Sequence, residues 1–194
     1  MKEEQIINAA RELFKNYGFK KVSMDEIARK AGVTKKTVYK YFASKQDLLK
    51  FFINEELINM KKIIEDTEKK NSDFFECVHE CIFRLLQYKH KRKFLKVILE
   101  EAEVLKDEKI TKEISVIDEQ IQKYIKEKLK YAVKEKYIDV ENIDIAAFLI
   151  YKMYIALMFD WDNGKEKVNE QMMAKTISKI LKSGLRKEVD KNEK

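Results

Sequence analysis

Proline is absent from the 194 residues, and only four glycines occur, Gly18, Gly32, Gly164 and Gly184. Hairpins and tight strand connections lose their usual punctuation without these residues, so long helices are the natural expectation. Cysteine is almost missing as well. Cys77 and Cys81 stand four apart within one helical segment, where side chains share a face but the backbone spacing does not suit a disulfide. Such usage points to a reducing, cytoplasmic setting. Two histidines, no H-E-x-x-H and no phosphate-cradling glycine loop leave common proton-transfer and metal chemistry without its usual residues. No catalytic residue, metal ligand set or cofactor is therefore expected, and the chain does not read as an enzyme. The opening MKEEQIINAARELF has neither the apolar core nor the small-residue cleavage site of a signal peptide. The most apolar run, Ile145 to Phe159, includes Lys152 and falls short of the ~20 residues that span a bilayer. It reads as a buried helix, with no membrane partner.

What remains is a chain that is 45% hydrophobic, long enough to bury a core, and basic, with a net charge of +7. The charge is unevenly spread. Residues 1–50 hold twelve lysines and arginines against six acidic residues, a net +6, which leaves +1 for residues 51–194. A basic first quarter suits contact with phosphates, and a near-neutral remainder suits another task.

Apolar residues at Ile6, Ile7, Ala9, Ala10, Leu13, Phe14 and Tyr17 fall at three-and-four spacing, an amphipathic helix that Gly18 ends. Ser23-Met24-Asp25-Glu26 is a capping box that opens a second helix, closed near Ala31 by Gly32. Thr34 caps a third short helix through Val38, Tyr39 and Phe42. Ser44-Lys45-Gln46-Asp47 starts a fourth, whose apolar positions run from Leu48 to Ile64 and which leaves the first domain. After a break at Asn71-Ser72-Asp73, residues 74–88 are apolar on nearly every side and must be surrounded. Lys89 to Lys93 reads as a solvated turn before a helix around Phe94 to Leu105. A long amphipathic helix follows, from about Ile110 toward Lys136. Helices over Ile143–Trp161 and Val168–Leu185 close the chain, separated by the turn signal Asp162-Asn163-Gly164 and followed by a charged tail. The expectation is an all-α chain of about nine helices, divided into residues 1–47 and 48–194.

Two short helices joined by a glycine turn and braced by a preceding helix are the parts of a DNA-reading helix-turn-helix. Val38 and Phe42, four apart, face inward as anchors and turn their neighbours outward. Lys35, Lys36, Thr37 and Tyr39 then project into a major groove, with Thr34, Tyr41 and Lys45 placed for flanking phosphates; Ser23 and Lys40 complete the expected DNA-binding set. Residues 6–49, above all Gly18-Phe19 and the run from Ala31-Gly32-Val33-Thr34 through Tyr39-Lys40-Tyr41-Phe42-Ala43-Ser44-Lys45, resemble the tetracycline-repressor (TetR) family.

The resemblance implies a homodimer that places two recognition helices in successive major grooves of a palindromic operator. It implies groove reading by Thr37 and Tyr39, and backbone contacts from Tyr41 and Lys45. Position 25 is aspartate, where some relatives carry a basic base-reading residue, which argues against a base contact from the second helix. The last two helices are implied to pair with their mates in a four-helix bundle, with Phe148, Lys152, Ile155, Met173, Ile177 and Ile180 as dimerisation positions. A small, hydrophobic effector of unknown identity is expected to release a cytoplasmic, nucleoid-associated repressor from its operator. Phe74, Cys81, Tyr88, Phe94, Tyr124, Tyr151, Tyr154 and Met158 are the candidate effector contacts, though each also suits a plain core. Cys77-x-His79-x-Cys81 is not a metal site on this reading, since His79 points about a hundred degrees away from the cysteines on a helix. The alternative function is a ligand-independent DNA-binding adaptor acting through a protein partner.

Overall fold

The computed structural model describes residues 1–88, 108–157, 161 and 169–185. The expected turn at 89–93, the helix around Phe94 to Leu105, the Asp162-Asn163-Gly164 turn and the tail from Arg186 lie outside the described residues, as do Phe94 and Met158. Among the described residues every regular element is an α-helix: α1 Lys2–Tyr17, α2 Met24–Lys30, α3 Lys35–Tyr41, α4 Lys45–Glu68, α5 Phe74–Tyr88, α6 Glu108–Lys134, α7 Ile143–Ile155 and α8 Glu170–Leu185. None of them is long and apolar enough to cross a membrane.

The chain divides into two compact units, Met1–Asn59 with His90–Ile117, and Met60–Lys89 with Asp118–Lys194. In the first, α1, α2 and α3 pack on one another and on the N-terminal half of α4. Ile6, Phe14, Ile27, Val38, Leu48, Leu49 and Phe52 are fully buried there. Phe14 sits at its centre, with its ring 5.2 Å from Phe19 and 6.1 Å, edge to face, from Phe52. In the second unit α5 lies along α8, held partly by a 3.2 Å contact between His79 Nδ1 and Ser178 Oγ. Its apolar clusters centre on Leu129, Ala132, Ile138 and Ala147, and on Leu86 and Ala174.

The caps follow from side-chain chemistry. Ser23 Oγ accepts the Glu26 amide at 3.2 Å while Glu26 accepts the Ser23 amide at 2.8 Å, a reciprocal box. The Ser23 hydroxyl, which donates to the Glu26 carboxylate at 2.7 Å, and the Ser23 amide hold that carboxyl below its ordinary pKa, since they favour the ionised form. Thr34, Asp73, Asn142 and Asn169 each accept an amide at the starts of α3, α5, α7 and α8. At the end of α2, Val33 N–H reaches Ala28 O at 3.0 Å and Gly32 N–H reaches Arg29 O at 3.2 Å, a Schellman pair that puts Gly32 at φ +66°. The end of α6 uses the same pair of bonds, Tyr137 to Ala132 and Lys136 to Val133, but with Lys136 at φ +62° in the glycine position.

The two ends therefore respond oppositely to substitution. Gly32→Ala, where an added Cβ meets no atom but the backbone stays left-handed, is expected to cost about 1 kcal/mol. Lys136→Gly is expected to gain roughly 0.5 kcal/mol or more by removing that strain. Urea unfolding midpoints of the two variants check both signs.

Candidate nucleic-acid interface and apolar cavity

On α3 the inward side is set by Val38, fully buried, and by Phe42 just past its end, whose ring lies 5.8 Å edge to face from Phe51. That leaves Lys35, Lys36, Tyr39, Lys40 and Tyr41 exposed, and Thr37 half-buried. The exposed tyrosines stand on the one face that the core does not use. Lys35 Nζ meets Asp25 at 2.8 Å, and this carboxylate raises the lysine pKa. The aspartate thus tethers a recognition-helix lysine, and it leaves α2 with an acidic group where a base-reading cation would stand. Thr37 shares its hydroxyl with Thr34, 2.8 Å away, so its free face is its methyl group.

Lys45, a phosphate contact by the resemblance, is held within its own unit. Its ammonium donates to Phe19 O at 2.7 Å, Lys20 O at 3.1 Å and Val22 O at 2.7 Å, and lies 4.6 Å over the Phe19 ring. An ammonium has three N–H donors, and all three are used on the segment between α1 and α2. Lys45 therefore ties the start of α4 to the turn that positions α2. Ser23 likewise spends its hydroxyl on Glu26, at 2.7 Å.

The second unit contains a cavity of about 690 Å³ between α4, α5, α6, α7 and α8. Phe74, Cys81 and Tyr124, expected as effector contacts, line it together with Cys77, Val78 and Ile82 of α5. Among the described residues, the other expected contacts do not line it. Tyr151 is buried with its hydroxyl donated in a very short bond to Asp118, Tyr154 packs on the Leu86–Ala174 cluster, and Tyr88 stands half-buried at the end of α5. Burial, with the adjacent Asp118 carboxylate, pushes the Tyr151 phenol well up, so it acts as a fixed donor. Sequence reasoning missed Glu68, Lys128, Tyr131, Tyr137 and Leu181 in the lining, because nothing local marks the convergence of five helices. The cavity also explains why α5, though apolar nearly all round, buries only Leu85 and Leu86 completely: its cavity-facing side chains have neighbours around a hollow rather than atoms against them.

Of the expected dimerisation positions, Phe148, Lys152 and Ile180 are exposed, and Ile155 and Met173 are half-buried. Ile177 is turned into the unit's own core and is 8% exposed, because α8 uses Ala174, Ile177 and Leu181 for its inward face. Ile145, Leu149 and Met172, not singled out in sequence, are 58%, 53% and 57% exposed. On α7, residues 145, 148, 149 and 152 make one continuous outward stripe.

Residues 6–50 match the family of bacterial regulatory proteins known as the tetR family. Along almost its whole length the chain is similar to the uncharacterized HTH-type transcriptional regulator YhgD of Bacillus subtilis (strain 168), 27% identical over 184 residues, 95% of this chain and 96% of that protein. Its fold is similar to the fatty acid degradation regulator FadR from Bacillus halodurans, TM-score 0.75 at 20% identity over 96% of this chain and 97% of that one. It is also similar to AibR, solved in complex with isovaleryl coenzyme A and operator DNA, TM-score 0.66 at 18% identity over 93% and 97%. The capped, anchored helix-turn-helix thus matches the tetR family of bacterial regulatory proteins over residues 6–50, and along its length the chain is similar to an HTH-type transcriptional regulator.

Proposed function

We propose that the protein is a cytoplasmic homodimeric repressor that leaves a palindromic operator when a small apolar molecule enters the cavity of its second unit. The observation that carries this reading is the pairing, in one chain, of an outward-facing basic helix α3 with a mostly apolar hollow of about 690 Å³ in the other unit. A cavity that size is costly to keep in a core whose only task is to be solid, which favours a ligand over the adaptor alternative. AibR, of the same fold, is solved in complex with isovaleryl coenzyme A and operator DNA, which supports a chain of this fold having both a small-molecule site and a DNA site.

In this division of labour residues up to about 47 read DNA, and the rest bind ligand and dimerise. Both α4 and α6 begin in the first unit and end in the second, so either can carry a displacement along its length. Ligand binding favours a dimer form whose recognition helices no longer match half-sites ~34 to 36 Å apart, and operator is released. The dimer surface in this reading is the outward stripe of α7 with Met172 and Ile180 of α8. Exposed apolar area of that kind is unusual on a monomer.

In this reading Tyr39 and Thr37 read bases, Lys36, Lys40 and Tyr41 hold phosphates, and Lys45 acts by positioning α2. Tyr39→Ala is expected to weaken operator binding roughly tenfold while changing affinity for random DNA little, as a base contact is worth about 1 to 3 kcal/mol. Lys36→Ala should weaken both and lower the slope of log K against log salt by about 1. Lys45→Met should leave that slope unchanged and lower the melting temperature. Fluorescence anisotropy against salt, with duplexes recovered from genomic DNA by the purified protein, checks all three. An equal loss on both duplexes from Tyr39→Ala removes it from base reading.

For assembly, Phe148→Glu combined with Ile180→Glu is expected to give a folded monomer. Light scattering coupled to size exclusion reads the mass, and operator affinity should fall by more than tenfold as the two half-sites become independent.

A further inference from the structure

Every charged group that lines the cavity already has a partner. Glu68 receives both of its bonds from Lys128, at 2.6 and 2.7 Å. Asp73 is spent on the Glu76 amide at 2.8 Å, and Glu127 on Lys130 at 3.0 Å. The two thiols are neutral: burial raises both, and Cys81 is pushed up to about 12. Against this settled background the Tyr124 hydroxyl stands out, since it is buried and, with the Lys128 ammonium beside it as a donor, meets no acceptor for its own proton. Burial raises its phenol pKa too, so it keeps its proton and can donate. The Lys128 ammonium lies 5.4 Å over the Tyr124 ring, held there by Glu68. Around the entrance to α5, Phe74 and Phe75 meet edge to face, and Phe74 stacks on Tyr137 at 5.0 Å with 12° between the planes.

From this arrangement we infer that the cavity takes an uncharged, largely apolar molecule carrying one hydrogen-bond acceptor, a ketone, ester or lactone oxygen, which meets the Tyr124 hydroxyl. An anion would compete with Glu68 for Lys128, and a cation would compete with Lys128 for Glu68. Either gains little, because an ion pair already in place is weakened to make a new one. A neutral acceptor disturbs neither and satisfies the buried Tyr124 donor. Flat aromatic ligands suit the ring-lined end. The inference rests on the reading of this cavity as the effector site and narrows the chemistry of the effector.

The test uses the full chain and 6-propionyl-2-(dimethylamino)naphthalene, a neutral fluorescent ketone, displaced in turn by 2-acetylnaphthalene, 2-naphthoate and 2-naphthylmethylammonium. The ketone probe is expected to saturate one site per chain, and 2-acetylnaphthalene to displace it at least tenfold better than either charged analogue. Tyr124→Phe should weaken the probe roughly fivefold, the worth of one neutral hydrogen bond, while melting at the same or a higher temperature because an unpaired buried hydroxyl is gone. Preference for 2-naphthoate or the ammonium overturns the inference. So does unchanged probe affinity in Tyr124→Phe, or no saturable binding at all. If the probe binds as expected but with the same affinity in the presence and absence of operator DNA, the ligand class stands and the coupling proposed above fails, because linkage is reciprocal.

Discussion

A helix of seven residues has almost no stability of its own in water, because the first turn costs more than the few bonds it gains can return. Everything that α3 presents to DNA therefore depends on how α3 is held. Val38 is fully inserted in the core of the first unit, Phe42 closes the end against Phe51, and Thr34 supplies the cap. These three fixed points determine the rotation of the helix about its axis. Tyr39, Lys36 and Lys40 face outward as a consequence of that rotation and not of any preference of their own.

The same core explains the use of charge around it. Lys45 is a cation near the reading head, yet its donors go to three carbonyls between α1 and α2. The chain between those helices is irregular, so its carbonyls have no helical partners, and a single ammonium satisfies several at once. Lys35 is tethered to Asp25, and Arg11 to Glu55 at 2.6 Å. Fewer cations of residues 1–50 are thus uncommitted than the count of lysines suggests, and Lys36 and Lys40 stand exposed on α3 beside the tyrosines.

The second unit is built on a different balance. Its apolar side chains are shared among two small clusters, a hollow, and an outward face on α7 and α8. A unit that leaves this much apolar surface neither packed nor covered gains little from its own core, and it becomes more stable when a ligand fills the hollow or a second copy covers the face. In the function proposed above, ligand binding and assembly draw on the same deficit, which is a physical reason for them to influence one another.

Elements, caps and anchors were legible in the amino-acid order because they are local. A serine three residues before a glutamate, a glycine after Ala31, and Val38 four before Phe42 carry their meaning within one helical turn. The end of α6 shows the limit of this, since Lys136 takes a glycine's conformation without a glycine's signal. What lay beyond reach was every role that depends on partners far along the chain. Lys45 meets carbonyls 23 to 26 residues away, and Tyr151 spends its hydroxyl on Asp118, 33 residues away, instead of lining the cavity. The cavity gathers side chains from five helices. On α8, both 173-177-180 and 174-177-181 satisfy helical periodicity, and only packing against α5 decides that Ala174, Ile177 and Leu181 turn inward while Met172 and Ile180 stay outside. Helical spacing defines which residues share a face; which face is covered is a property of the neighbours.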